Sequence, residues 1–298
     1  MSDAPLVSII MPTYNQAHFI HEALQSVIQQ TYENWEVIVI NNYSSDNTVD
    51  VVRSFGDMRI RLVDFRNNGV IAASRNRGIE LASGTYLAFL DSDDVWFPEK
   101  LDVCVEALEK GYDLVAHGFQ VFGEGRKKNK CMDHEHIPTF SGLLYSGNCI
   151  ATSTVVVRRR EVLDAHQFVE DGEMITAEDY HLWLKLSCNG ARMIVLPRTL
   201  SGYRIHAGNS SSYALKNMLA VRKVIEGFFP AHESRSLSER IRILGRYGLL
   251  NYDAGRNMQA NALLWGALPF FMKTVAFKPA YLRAYLMILL SLLRIYKE

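Results

Sequence analysis

Tyr86-Leu87-Ala88-Phe89-Leu90-Asp91-Ser92-Asp93-Asp94 changes character abruptly, from five apolar residues to three carboxylates in four positions. The first half reads as a strand buried on both faces, the kind that builds parallel sheets. Three carboxylates directly beyond it repel one another unless something positive lies among them. A divalent cation of the Mg²⁺ or Mn²⁺ type would answer that, because such ions favour oxygen ligands and share them with phosphates. Taken alone, the same residues also suit a solvated turn. Their place matters more than their charge: open α/β sheets bind ligands beyond the carboxyl ends of their strands.

Working outward, apolar runs at 7–11, 36–40, 60–64 and 114–119 read as further strands. Between the first two, Phe19, Ile20, Ala23, Leu24, Val27 and Ile28 recur with the helical period. Segments 46–55, 71–82 and 98–110 continue the alternation, the last with Pro98 opening its first turn. Alternating strands and helices predict βαβ units and a mostly parallel central sheet flanked by helices. Residues 153–158 and 192–196 read as two later strands, with an amphipathic helix at 177–188 between them. Segment 123–136 reads as a polar loop. Its Asp133-His134-Glu135-His136 has metal-binding residue types, but no regular element to hold them.

Beyond about residue 212 strand signals stop, and 215–229, 236–253, 257–272 and 279–296 read as helices. That change divides the chain into residues 1–211 and a helical region, 212–298. The tail ends apolar, with Lys273, Lys278, Arg283, Arg294 and Lys297 set against Glu298 alone. Apolar helices with basic flanks suit the surface of an anionic membrane. They equally suit packing on the domain or on a second copy, as a homodimer.

Composition narrows the classes. The 298 residues are 48% apolar and 21% charged, which excludes a disordered chain. Thirty-two basic residues balance 32 acidic ones, so no overall field argues for nucleic acid as a partner. Cys104, Cys131, Cys149 and Cys188 form no CxxC pair, which fits a reducing compartment. With no basic and apolar leader at residues 1–6, the expected location is cytoplasmic, peripheral on the inner face of the inner membrane.

Two polar turns follow the first two strands: Pro12-Thr13-Tyr14-Asn15 and Asn41-Asn42-Tyr43-Ser44-Ser45-Asp46. Each alone is a turn signal, and Asp46 suits a helix cap. Together they suggest a ligand rim. No Walker lysine motif or complete dinucleotide fingerprint is present, so phosphates would be held through a metal. Glu178-Asp179 alone reads as a charged helix N-terminus.

The ordered set of motifs resembles the inverting glycosyltransferases of family 2, which have the GT-A fold. The resemblance runs through Val7–Asn15, Gln29-Gln30-Thr31-Tyr32, Asn68-Gly69, Ser74-Arg75-Asn76-Arg77-Gly78 and Gly84–Asp94. It continues in Ala177-Glu178-Asp179-Tyr180-His181-Leu182-Trp183-Leu184 and ends in Tyr203-Arg204-Ile205-His206, covering about residues 5 to 210. It implies that Pro12, Tyr14 and Asn42 line a nucleotide pocket, that Asp91 and Asp93 are the DxD pair, and that Asp93 binds Mn²⁺ or Mg²⁺. It implies Asp179 as general base with Glu178 beside it, and a looser role for His206 near the metal and diphosphate. Arg75 and Ser92 join the donor site on this reading.

The implied reaction moves a sugar from a nucleotide-sugar donor, by default a UDP-sugar, to a hydroxyl of a lipid-linked or surface-glycan acceptor. Such relatives commonly carry an aspartate where Asn42 stands, so weaker base discrimination is expected here. Two alternatives remain: a nucleotide-sugar or glycan binder with impaired catalysis, and a sugar nucleotidyltransferase. The second lacks its glycine-rich loop after the first strand.

Overall fold

The structure is a computed structural model and describes residues 4–123, 128–130, 135–206, 214–230, 236–260 and 263–293. Its first strand, Val7–Thr13 (β1), is buried at every position, as a strand covered on both faces must be. Helix Ile20–Ile28 (α1) turns Ile20, Ala23, Leu24 and Val27 inward, the spacing that the sequence predicts. Strand Trp35–Asn41 (β2), helix Thr48–Ser54 (α2), strand Ile60–Asp64 (β3), helix Ile71–Leu81 (α3) and strand Tyr86–Phe89 (β4) follow in alternation. These four strands are parallel, in the order β3-β2-β1-β4.

The register sets the site. Thr13 pairs with Asn41 and Ile10 with Phe89, so β1, β2 and β4 end at one edge of the sheet. β1 connects leftward to β2 while β4 lies on its other side, so the sheet has its topological switch point there.

The rest of the sheet is mixed. It comprises Val95–Trp96 (β5), Leu114–Phe122 (β6), Lys128–Lys130 (β7), Val156–Arg158 (β8) and Met193–Arg204 (β9). β8 runs antiparallel to β4 and β6, while β6 and β9 are parallel. Helices Lys100–Glu109 (α4), Phe140–Ser146 (α5), Arg159–Asp164 (α6) and Glu178–Cys188 (α7) punctuate these strands.

The chain gathers into two compact units. The first holds Met1–Thr139, Cys149–Glu170 and Leu182–His206; the second holds Phe140–Asn148, Asp171–His181 and Ala207–Glu298. In the first, the apolar faces of β1, β2 and β4 close against α1 and α4 in one core. In the second, helices Ala214–Phe228 (α8), Leu237–Ala260 (α9), Leu264–Phe277 (α10) and Leu282–Leu292 (α11) succeed one another. Ala267, Phe271 and Met287 form a small core there.

Three local readings need correction. Segment 123–136 is not wholly a loop, since β7 pairs with β6 and His136 bridges to Val195. Asp133 and His134, half of its metal-like set, lie outside the described residues. The strand expected at 192–196 runs on to Arg204, because β6 and then β5 supply partners for the later residues. The break expected between 253 and 257 is absent: α9 is continuous for 24 residues, with Gly255 buried inside it. A Cβ at Gly255 would lie 2.7 Å from Phe271 Cε1, so that glycine permits a close helix contact rather than ending a helix. Among the described residues no helix is long and apolar enough to cross a membrane.

Candidate active site

The acidic turn leaves β4 at the switch point and closes on itself, the Asp94 N–H donating to the Asp91 carbonyl at 3.0 Å. Each acid then meets a different partner. Arg75 reaches up from α3, its buried guanidinium donating to Asp91 Oδ1 at 2.8 Å. His206 Nε2 lies 2.9 Å from Asp93 Oδ2. Asp94 accepts the Arg204 backbone N–H at 2.9 Å. Ser153 Oγ accepts the Asp91 N–H at 3.2 Å, and Ser92 is buried within the turn.

The chain brings His206 to Asp93 across 113 positions because β5, directly after the acids, pairs antiparallel with β9, placing Val95 opposite Gly202. Arg204 adds a second tie, donating from Nε to the Asp93 carbonyl at 2.8 Å. Its guanidinium lies between the rings of Phe19 and Phe122, and His206 rests on Phe19 at 4.8 Å.

Burial raises the Asp93 carboxyl pKa, and the Asp91 charge raises it further against the opposing hydrogen bond from His206. Burial likewise holds Asp94 well above the ordinary carboxylate range, with Asp93 and Asp91 adding to it. This is the electrostatic signature of a place short of positive charge. Among the described residues no three His, Cys, Asp or Glu side chains are gathered to hold an ion by themselves. Asp91, Asp93 and His206 are therefore not a ready three-ligand set: Asp91 is taken up by Arg75, and His206 by Asp93. Crowded carboxylates supplying fewer than three ligands fit a Mg²⁺- or Mn²⁺-type ion, which completes its shell with waters and substrate phosphates.

The two polar turns meet beside this edge. Ser44 Oγ accepts the Asn15 N–H at 2.9 Å, and Asn15 Oδ1 accepts the Ser45 N–H at 2.8 Å. Asp46 accepts the Ala17 N–H at 3.0 Å and the Thr48 N–H at 3.1 Å, so one carboxylate ties both turns ahead of α2, whose N-cap residue is Asn47. Asn15 and Tyr43 adopt positive φ angles of 52° and 54°, which turns both chains sharply. Tyr14 and Tyr43 are left 56% and 55% exposed, while Pro12 is buried in β1. Asn42 Oδ1 accepts the Asn67 N–H at 3.1 Å, which fixes the orientation of its amide. Asn41 is structural, donating to Asp64 and accepting from Ser44.

Other residues sort by contact. Arg77 pairs with Glu80 at 2.9 Å. Trp96 is buried, its indole donating to the Ser153 carbonyl at 2.7 Å, and Trp183 is fully enclosed.

Glu178 and Asp179 belong to the second unit and open α7. The turn before them is strained: Thr176 has a φ of 83°, costly for a β-branched residue. Glu178 is buried and its Oε2 accepts the Thr176 N–H at 2.8 Å, closing that turn. Asp179 is half-buried and accepts its neighbour's N–H, that of Tyr180, at 2.6 Å. Tyr180 Oη donates to the Leu143 carbonyl of α5 at 2.5 Å.

The sequence does not by itself place Ser153 or Arg204 in the site. Arg204 lies in the Tyr203-Arg204-Ile205-His206 motif, which is its signal, and Ser153 carries no local signal.

The fold and this edge define a glycosyltransferase of the GT-A type. The family described as Glycosyl transferase family 2 matches residues 8–166, and the chain belongs to it. Among relatives is the Escherichia coli UDP-Glc:alpha-D-GlcNAc-diphosphoundecaprenol beta-1,3-glucosyltransferase WfgD, 35% identical over 218 residues, 72% of this chain and 83% of that one. The putative teichuronic acid biosynthesis glycosyltransferase TuaG of Bacillus subtilis is 30% identical, over 70% and 82% of the two chains. Two solved structures share the fold. The mannosyltransferase PcManGT of Pyrobaculum calidifontis, in complex with GDP-Man and Mn²⁺, superposes with a TM-score of 0.64 at 20% identity over 98% and 86% of the chains. S. aureus TarS 1–349 with UDP-GlcNAc gives 0.62 at 19% identity over 98% and 93%.

Proposed function

We propose that the chain is a metal-dependent inverting glycosyltransferase that moves a sugar from a UDP-sugar to a hydroxyl of a lipid-diphosphate-linked glycan. The observation that carries the donor half is the crowded acidic turn at the switch point, with Arg75 on Asp91 and His206 on Asp93. The acceptor half rests on the activity for which WfgD is named. Residues 1–211 form the catalytic part and 212–298 a helical region.

Pro12, Tyr14 and Asn42 line the nucleotide, and Arg75, Asp91 and Ser92 border the diphosphate. Asp93, with Asp91 and His206 beside it, would hold the divalent ion. When bound, that ion supplies Lewis-acid stabilisation of the departing nucleoside diphosphate. Asp179 takes the proton from the acceptor hydroxyl as its oxygen bonds the anomeric carbon from the face opposite the leaving group. The bond from that carbon to the phosphate oxygen breaks, its electron pair leaves with the diphosphate, and the configuration inverts. Glu178 acts by positioning, through the strained turn that it closes ahead of Asp179.

A screen of nucleotide sugars for donor hydrolysis and transfer, with and without Mn²⁺, tests the reading directly. Chelation should abolish turnover and Mn²⁺ or Mg²⁺ should restore it. Asp179→Asn should lose transfer while keeping donor affinity; unchanged transfer would leave a base elsewhere, and no turnover with any donor would favour a binder.

The tail serves a membrane-bound acceptor. On α11 and just beyond it, Leu282, Tyr285, Leu286, Leu289, Leu292 and Leu293 are each 46–77% exposed and recur with the helical period. Ala284, Met287 and Ser291 are the buried side, so the apolar face looks outward. Lys273, Lys278 and Arg283 lie in the same stretch without an acid among residues 254–297. That charge suits an anionic lipid surface.

A further inference from the structure

Arg246 of α9 is only 3% exposed, yet its Nε and Nη1 meet no hydrogen-bond partner among the described residues. A buried guanidinium without a counter-ion is costly, since the lost hydration is repaid by nothing. Four acids of its unit have other partners. Asp171 and Glu173 hold Lys223, Glu226 holds Arg222, and Glu178 closes the Thr176 turn. One turn earlier on the same helix face, Arg242 stacks its guanidinium 3.8 Å over the Tyr145 ring and donates to Ser141 Oγ.

Between those two ends of α5 and α9 lies Gly147. With a φ of 116° it takes a conformation that favours glycine, and a Cβ there would lie 3.6 Å from Arg246 Nη2. A side chain at 147 would come into van der Waals contact with the guanidinium, and glycine leaves that space open. Planar, multiply hydrogen-bonding forks on buried stems are what bind phosphate oxygens bidentately.

The position also speaks for the substrate. The Leu143 carbonyl accepts both the Gly147 N–H at 3.1 Å and the Tyr180 hydroxyl at 2.5 Å. One carbonyl of α5 thus ties the Arg246 cradle to the residue beside Asp179. We propose that Arg246, with Arg242 at i−4, holds the phosphate of the diphosphate-linked acceptor whose hydroxyl Asp179 deprotonates. This rests on the transfer reading above and adds a binding site to it.

The test reads binding and turnover separately. In chelator, so that metal-dependent donor binding is silent, inorganic pyrophosphate should raise the Tm of the wild-type chain and not that of Arg246→Met. That variant removes a buried unpaired charge and should itself melt no lower than the wild type. Arg246→Lys, which keeps the charge and loses the fork, should show a smaller rise and guards against a misfolded methionine variant.

In transfer assays, Arg246→Met should raise KM for a prenyl-diphosphate-linked sugar at least tenfold. It should leave kcat within about threefold, and donor hydrolysis and KM for an acceptor lacking the diphosphate unchanged. An equal Tm rise in wild type and both variants overturns the site. A lost Tm rise with unchanged acceptor KM overturns the acceptor assignment and leaves a site for free phosphate. Should no donor be turned over at all, the transfer reading fails, while the pyrophosphate arm still decides Arg246.

Discussion

Asn42 shows how one atom's partner changes what a residue can read. Its Oδ1 accepts the Asn67 N–H, so the amide is pinned and its Nδ2 is the donor available to a nucleobase. An aspartate there would accept from Asn67 as well and offer a charged acceptor to a base N–H. Neutral hydrogen bonds contribute about 0.5–1.5 kcal/mol net and charged ones about 1.5–3. Asn42→Asp should therefore sharpen the preference for UDP over GDP and CDP by about 1 kcal/mol, roughly fivefold. Competition binding of the three diphosphates measures it, and an unchanged order refutes it. Asp93→Asn should cost both donor affinity and its metal dependence, read by titrating Mn²⁺ against UDP binding. The imidazole of His206 would then face an amide, and the charge that draws the ion would be gone.

At the scale of elements, two contacts have consequences that can be tested or traced. The β5–β9 pairing carries Arg204 and His206 to the acidic turn. In the other, the α9–α10 contact at Gly255, two effects of an alanine oppose each other. Alanine in a helix interior gains about 1 kcal/mol over glycine. Its Cβ would sit 2.7–3.0 Å from three ring carbons of Phe271, an overpacking that typically costs about 1–3 kcal/mol. The ring is fully buried and has little room to move, so the clash should win. Gly255→Ala is expected to lower Tm, and Gly255→Ala with Phe271→Leu to recover part of the loss.

For the whole molecule, stability and surface make separate predictions. Lys100 is fully buried with its ammonium 3.5 Å from the Trp96 ring centroid, and burial brings its pKa down to about 7. Unfolded, the same amine keeps its proton up to about 10.4. Between those values the unfolded chain binds more protons, so unfolding free energy rises with pH across that window. Denaturation at pH 7 and pH 10 should show this rise in the wild type and a smaller one in Lys100→Met. At the surface, Leu286→Gln with Leu289→Gln should reduce flotation with vesicles containing anionic phosphatidylglycerol while leaving Tm within about 2 °C. Flotation unchanged by the pair, or equal on neutral phosphatidylcholine vesicles, removes the membrane role from this face.

The alternation of buried strands with helices, the acidic turn after β4 and the polar turns after β1 and β2 were all legible in the sequence. Such signals are local: side-chain periodicity follows backbone geometry, and charges beside an apolar run need no tertiary partner to be noticed. The family followed from the order of those motifs. What only the tertiary structure decided depends on segments far apart in the chain. That His206 meets Asp93 and that Ser153 and Arg204 brace the acids are pairings that no window of residues contains. The same holds for Arg246, an ordinary helical arginine by sequence, whose burial without a counter-ion emerges only once α5 is packed against α9.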